Sequence, residues 1–257
     1  MGRARQKDRH YQLIQNIKDG ALMVSRKTSI KIRKTHRYLG VFLGIQFLMW
    51  TISGLYFSWT NLDNIHGNQY KKESISNLAF DSLLSPTALK ASHGIQNVSL
   101  RSIAGQPYYY INEKELYHAQ TGLKKEGLSE DEAISVANRH LVEGLEVLRV
   151  EKITHVNPHH EYREKLLPAY VISFNTPDSL KGYVSVEDGK FQTVRHRKWR
   201  WFDFLWMTHT MDYEGRDNFN NVVLRAFSML GLITVLSGFL LWFVTSPTIK
   251  KYFQKLF

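Results

Sequence analysis

Histidine is the residue type that stands out for its chemistry, because the chain has eleven histidines and no cysteine. His36 stands just before a long apolar run, and His209 lies in the aromatic stretch WRWFDFLWMTHTMDY that precedes a second one. An imidazole at a membrane edge is costly to desolvate and indicates a functional site, and neutral imidazole is an axial ligand of haem iron. His36 and His209 are therefore candidate ligands of a b-type haem iron, and His66 is a candidate partner of His209. For each of them the alternative is an interfacial residue that only hydrogen-bonds lipid headgroups.

The other histidines show no ligand spacing such as H-E-x-x-H. One, His10, lies in the basic N-terminal segment, and the rest lie in the polar middle of the chain: His93, His118, His140, His155, His159, His160 and His196. The adjacent pair in NPHHEYRE is typical of a solvated loop, with opportunistic metal binding as the alternative. The sequence shows no nucleophile–base pattern and no phosphate loop, and the absence of cysteine excludes thiol chemistry.

Two apolar segments are long enough to cross a bilayer. Tyr38–Trp59 carries no charge and follows the basic run KIRKTHR; as a helix it spans roughly the 30 Å of a hydrocarbon core. Val222–Val244 carries one charge, Arg225, close enough to its start to reach the interface. Both segments are predicted to be transmembrane helices in contact with the lipid bilayer.

Small residues recur in both apolar segments. The first contains a G-x-x-x-G pair, which lets another helix approach closely, and each segment contains one Ser-Gly step, at 53–54 and at 237–238. Such positions suit helix packing or the flat face of a large cofactor, and the sequence leaves both open. The candidate packing residues are Gly40, Gly44, Gly54 and Gly238.

The chain has a formal net charge of +11, and the excess of basic residues lies in the segments that flank the two apolar runs. Residues 1–37 hold 11 Lys/Arg and two Asp, and residues 245–257 hold three Lys, whereas the stretch between the spans holds 19 basic and 21 acidic residues. The positive-inside rule then predicts a two-pass protein of the bacterial inner membrane with cytoplasmic termini and a periplasmic middle, and argues against nucleic acid as partner. The predicted division is 1–37 basic cytoplasmic segment, 38–59 first span, 60–198 periplasmic domain, 199–221 interfacial aromatic segment, 222–244 second span and 245–257 cytoplasmic tail.

The periplasmic region shows a weak internal repeat over 80–194. Each copy is predicted to be one helix followed by a small antiparallel sheet, which defines an α+β domain flanked by two transmembrane helices. In the second copy Ser129 is a predicted N-cap and Asp188-Gly189 a predicted turn. The predicted elements are a short helix Thr87–Ser92 and strands Val98–Ile103, Tyr108–Asn112 and Leu116–Ala119, then a helix Asp131–Val142 and strands Leu145–Ile153, Ala169–Phe174 and Gly182–Val186.

The second copy, in LSEDEAISVANRHL, LPAYVISF and GYVSVEDGKFQTV, resembles the PepSY module. The stretch from SPTALKASHGI to LYHAQTG resembles a degenerate first copy. Together with a helix that starts at His36 and a late span reached through Trp206–His209, the chain over 30–245 is similar to the PepSY-associated transmembrane family.

That resemblance implies a function. Members of the family include ferric-siderophore reductases suited to carrying electrons across the bacterial inner membrane through b-type haems, which implies an inner haem at His36 and an outer one at His209, with His66 as a possible second ligand. Those members have more helices than this chain, so a homodimer or a larger membrane complex would have to supply a second ligand to His36. The alternative is a non-catalytic PepSY membrane protein that regulates a protease or serves as an accessory subunit.

Overall fold

The computed structural model of the chain describes residues 26–75, 78–91 and 93–247. His10, most of the predicted N-terminal segment and most of the predicted C-terminal tail lie outside the described residues. The chain divides into two units, Met1–Ile52 with Phe219–Phe257, and Ser53–Asn218. The elements are α1 (Arg26–Trp59), α2 (Leu62–Ile65), β1 (Val98–Ile103), β2 (Gln106–Ile111), β3 (Glu115–His118), β4 (Lys124–Lys125), α3 (Glu130–His140), β5 (Val147–Ile153), β6 (Ala169–Phe174), β7 (Lys181–Ser185), β8 (Phe191–Arg195), α4 (Arg197–Thr210) and α5 (Val222–Thr245).

Two helices are long and apolar enough to cross a membrane, over Ile30–Trp59 and Val222–Phe243. Helix α1 begins well before the predicted Tyr38, because the basic residues ahead of the apolar run are good helix formers and no Gly or Pro interrupts them. Helix α5 begins at the predicted residue, since the side chain of Asn221 accepts a hydrogen bond from the Leu224 N–H at 2.7 Å. Their apolar side chains face outward: Ile45 is 74% and Met229 68% exposed, as lipid-facing residues are and as the core of a soluble protein is not.

Within the first unit the two helices run antiparallel. Residues early in α1 meet residues late in α5, with the His36 imidazole bonded to the Ser237 hydroxyl. Further along α1, the ring of Phe42 stacks on Phe227 at 5.6 Å, and Phe47 lies against Gly231. The start of α1 and the end of α5 therefore lie at the same end of the pair, as a two-pass arrangement requires.

The second unit contains two four-stranded antiparallel sheets, in the orders β1-β2-β3-β4 and β5-β6-β7-β8. Ala104 and Gly105, both at positive φ, form the two-residue turn between β1 and β2, whereas the long segment 154–168 connects β5 to β6. This confirms the predicted α+β class and the pair of small antiparallel sheets between two long apolar helices.

The two sheets share one core, built around α3. Ser129 and Glu132 form a capping box that starts this helix, and Ala133, Val136 and Ala137 on its inner face are buried. Ile103 from the first sheet and Ile172 from the second are both fully buried in the same cluster. One helix therefore serves both halves of the repeat.

Within the described residues, the first half shows no α-helix of its own. Instead of the predicted helix Thr87–Ser92, a single 3-10 turn covers Pro86–Ala88. The physical reason is local, because the Ser85 hydroxyl bonds to the Thr87 hydroxyl at 2.8 Å and not to a backbone N–H that a helix would leave open. Each strand that was predicted begins and ends within two residues of its predicted bounds. Strands β4 and β8 were not predicted.

His196 is a fully buried histidine of this unit. One ring nitrogen, Nε2, donates a hydrogen bond to the Ile65 carbonyl at 3.2 Å. The other, Nδ1, is buried and has no partner among the described residues. Burial lowers the pKa of His196, and burial likewise lowers the pKa values of His140 and His160. Protonation of the buried ring at Nδ1 would add a positive charge and a donor without an acceptor.

The unfolding free energy should therefore fall as the pH drops below about 6.5. A histidine with a lowered folded-state pKa binds fewer protons in the folded than in the unfolded state, so its contribution is complete above the unfolded pKa and is lost below it. We expect the melting temperature of the detergent-solubilised protein to fall between pH 7 and pH 5.5. The fall should be smaller in His196→Gln, whose amide can still donate to Ile65. The exposed His155→Gln serves as the control, and an equal fall in wild type and His196→Gln would contradict this assignment.

Candidate functional site

Helix α4 positions His209, and a buried ionic cluster fixes α4. The carboxylate of Asp203, whose side chain is 5% exposed, accepts a hydrogen bond from Arg163 Nη2 at 2.8 Å and also pairs with Arg216. Arg163 bonds in addition to Asp217 at 3.0 Å. The segments before β6 and after α4 are thus tied to the same helix.

A second cluster holds the start of α4. Glu161 accepts hydrogen bonds from Arg200 Nε and from the Tyr183 hydroxyl, both at 2.7 Å. Burial alone would raise the pKa of Glu161, but these donors outweigh it and the pKa is lowered, which keeps the carboxylate ionised. The guanidinium of Arg195 lies 4.1 Å from the centre of the Trp199 ring, and burial lowers the pKa of Arg195 to about 10.

His209, in the last turn of α4, pairs with Ser53. Its Nδ1 lies 2.7 Å from the Ser53 hydroxyl oxygen, and Ser53 is fully buried. The centres of the Phe57 ring, one turn further along α1, and of the His209 imidazole lie 5.6 Å apart in an edge-to-face arrangement. Burial lowers the pKa of His209, so the neutral imidazole, the form that coordinates metal, is favoured.

His36 makes an equivalent pair with Ser237. Its Nδ1 lies 2.8 Å from the Ser237 hydroxyl oxygen. That hydroxyl donates its single hydrogen to the Thr234 carbonyl at 2.7 Å. It can therefore only accept from His36, so Nδ1 must carry the hydrogen of the neutral imidazole. The lone pair of the ring then lies on Nε2, the atom that would bind a metal.

A recess of about 520 Å³ opens beside His36 on the surface of the helix pair. Its walls are almost entirely apolar, and its lining residues are His36, Thr234, Val235, Gly238, Phe239 and Trp242. A Cβ on Gly238 would lie 3.2 Å from His36 Cε1, so a larger residue there would crowd the ring. The recess thus presents one imidazole with a free lone pair in an apolar setting.

The remaining candidate residues lie elsewhere. His66 follows α2 and is exposed; its imidazole makes no hydrogen bond within the described ranges, and the structure does not pair it with His209. A Cβ on Gly40, Gly44 or Gly54 would meet no atom of the described chain within 4 Å, so these glycines are not used to pack α1 against α5. Among the described residues no group of three or more His, Asp or Glu side chains could hold a metal ion.

Local pattern did not identify the two serines as partners of the two histidines. Ser53 and Ser237 stood out only as small residues next to glycines. A signal was present, because each apolar run contains one Ser-Gly step and each of the two histidines lies shortly before an apolar run. Which serine lies opposite which histidine depends on how the helices that carry them pack against each other.

The comparison with protein families matches this architecture. The family model described as the PepSY-associated TM region matches residues 6–244. The chain therefore belongs to the PepSY-associated transmembrane family, and it is a membrane protein with an α+β domain between two membrane-spanning helices. None of the curated proteins and none of the solved structures matches the chain significantly.

Removing the Asp203 carboxylate should destabilise the second unit strongly. Asp203→Ala leaves Arg163 and Arg216 charged and largely buried without their shared partner, which costs about 3–5 kcal/mol when a buried pair is broken from one side. The measurement is thermal unfolding in detergent followed by circular dichroism. Asp217→Ala removes a half-exposed partner of Arg163 and should cost less than about 1 kcal/mol. Equal losses in the two variants would refute the central role of Asp203.

Proposed function

We propose that this protein is a b-type haem protein of the bacterial cytoplasmic membrane that passes electrons across the bilayer in reductive, ferric-siderophore-linked iron uptake. The observation that carries the proposal is the orientation of His36. The Ser237 hydroxyl donates to the Thr234 carbonyl and accepts from Nδ1 of His36. The lone pair of the neutral imidazole therefore lies on Nε2, on the side of the ring away from Ser237. Histidines that ligate metal are held in this way, with the second ring nitrogen bonded to the protein.

The recess beside His36 fits one face of a haem. Apolar walls suit a porphyrin, and Gly238 leaves room beside the ring. A bound haem would supply one-electron redox chemistry. Around it, the described residues hold the imidazole in one tautomer, orient its lone pair and exclude water on the apolar side.

Among the described residues that line the recess, His36 is the one imidazole that would hold the haem. A second histidine ligand would have to come from His36 of another copy of the chain or from a partner subunit. An added Cβ on Gly40 or Gly44 would meet no described atom within 4 Å beyond its own helix, so there is space for such an approach. A homodimer is the simpler of the two arrangements.

His209 offers a second position of the same kind, with Ser53 as the residue that fixes its ring. Its burial favours the neutral imidazole, and the ionic cluster at Asp203 holds its helix in place. We include His209 in the proposal as the ligand of an outer haem. His66, exposed and apart from this pair, would serve only after a rearrangement.

The spectrum of the protein tests the proposal. Protein purified in detergent from haem-replete cells should show Soret and α bands in a reduced-minus-oxidised spectrum. His36→Ala and His209→Ala should each remove part of the signal, because each removes one ligand. Ser237→Ala keeps the His36 ligand but frees its ring, and should weaken haem retention at that site by about tenfold or more.

His155→Ala is the matched control, since it removes an exposed histidine from the second unit. It should leave the spectrum unchanged. A colourless, fully folded wild-type protein from haem-replete cells would overturn the proposal, as would a spectrum that survives both His36→Ala and His209→Ala.

The proposed topology has its own test, because the chain contains no cysteine to interfere. Lys190 and Lys27 are both exposed. If the second unit is periplasmic, Lys190→Cys should react with a membrane-impermeant maleimide in spheroplasts, and Lys27→Cys should react only after the cells are lysed. The reverse pattern would contradict the orientation read from the flanking charges.

A further inference from the structure

Strand β1 is an edge of the first sheet, and no other strand of the described chain pairs with its open side. Natural sheets protect their edges with short strands, charges, bulges or a covering segment. Strand β4, the other edge of the first sheet, consists of two lysines. In the second sheet, β5 carries several charges and a register shift between Val147 and Arg149, and Gly67 packs against Val194 of β8. Strand β1 is six residues long, and its one charged residue, Arg101, is paired with Asp188 at 3.3 Å.

The backbone of β1 offers hydrogen-bonding groups on its open side. The Asn112 N–H donates to the Asn97 carbonyl at 2.9 Å, so residue 97 faces β2. Along an antiparallel strand, alternate residues direct their backbone N–H and C=O groups toward the paired strand and away from it. Residues 97, 99 and 101 therefore face β2, and Leu100 and Ser102 direct these groups away from it. No described segment pairs with this edge of the sheet. Backbone groups in this position are a template for another strand.

A cleft of about 630 Å³ runs along this edge. Leu100, Arg101 and Ser102, three consecutive residues of β1, line it. Phe80 and Phe191 also contribute to its lining. Leu100 is 47% exposed, which leaves an apolar contact for the side chains of an incoming strand.

The charged side chains that line the cleft are all basic. They are Arg101, Arg139 and Lys190. Lys190 is exposed and has no ion pair within the described ranges. His140, which also lines the cleft, donates from Nδ1 to the Val136 carbonyl at 2.8 Å and stacks on Phe191 at 5.1 Å, so its ring is fixed. The walls therefore combine apolar surface with positive charge.

We propose that this cleft binds an extended, acidic peptide segment of a partner protein, which adds as a strand to the open edge of β1. The main-chain bonds would come from residues 100 and 102. Alternate side chains of the peptide would meet Leu100 and Phe191, and its carboxylates would meet Lys190. Strand addition of this kind takes its affinity from the backbone and its specificity from the flanking side chains.

The test uses the full-length chain in detergent and a fluorescent, capped hexapeptide of alternating glutamate and valine, with binding followed by anisotropy. Two peptide controls keep the protein constant. One replaces every glutamate by lysine, and the other is N-methylated on alternate residues so that it cannot donate to a strand. We expect saturable binding of the glutamate peptide and, for each control, an affinity at least about tenfold weaker.

Leu100→Pro and Leu100→Ala form a matched pair of variants. Both shorten the side chain, but only proline removes the N–H that faces the cleft, and edge strands tolerate proline where that group points outward. We expect Leu100→Pro to weaken binding about tenfold and Leu100→Ala about threefold or less. Circular dichroism checks that both variants fold.

Four outcomes would overturn the proposal. They are no saturable binding up to about 1 mM peptide, equal binding of the N-methylated peptide, equal binding of the lysine peptide, and equal losses in Leu100→Pro and Leu100→Ala. The peptide controls stand even if Leu100→Pro fails to fold, because they are measured on the wild-type protein.

Discussion

An imidazole beside a bilayer must have a hydrogen-bond partner, and this constraint governs how the helices of the protein pack against one another. Water cannot satisfy a ring nitrogen at an apolar helix surface, and an unpaired polar group there costs several kcal/mol. His36 meets the constraint with Ser237, and His209 meets it with Ser53. Each bond joins residues far apart in the chain, so each also fixes how two helices meet.

The serine that satisfies the ring also decides its chemistry. The Ser237 hydroxyl donates its hydrogen to the Thr234 carbonyl and can therefore only accept from His36. In its neutral form, His36 is thus restricted to the tautomer that carries the hydrogen on Nδ1. A histidine bonded to a free hydroxyl could exchange donor and acceptor roles and would present its lone pair at either nitrogen. The helix backbone of α5 thus determines, through Ser237, which nitrogen of His36 keeps its lone pair. Structure and proposed ligand function depend on the same bond.

In the second unit, one helix serves both sheets. A full repeat would give each sheet its own helix, but the described residues of the first half form a 3-10 turn at Pro86–Ala88 and share α3 with the second. The turn at Gly189 packs against Ile103, and Asp188 pairs with Arg101, so the two halves join at one end of β1. Along the rest of β1 no strand of the described chain pairs with the edge. The proposed peptide cleft is the surface that this shared core leaves open.

Local composition and periodicity were enough to predict the two apolar helices, the charge asymmetry around them, the repeat with most of its strands, and the histidines worth testing. They also placed α3 within two residues, through the N-cap Ser129, but predicted a helix at Thr87–Ser92 where the chain forms a 3-10 turn. The folded chain was needed to show that Ser237 pairs with His36 and Ser53 with His209, that Asp203 joins Arg163 to Arg216, and that no described strand pairs with the open side of β1. These features depend on the register in which distant segments meet, and register is set by packing of the whole core, which no local pattern encodes.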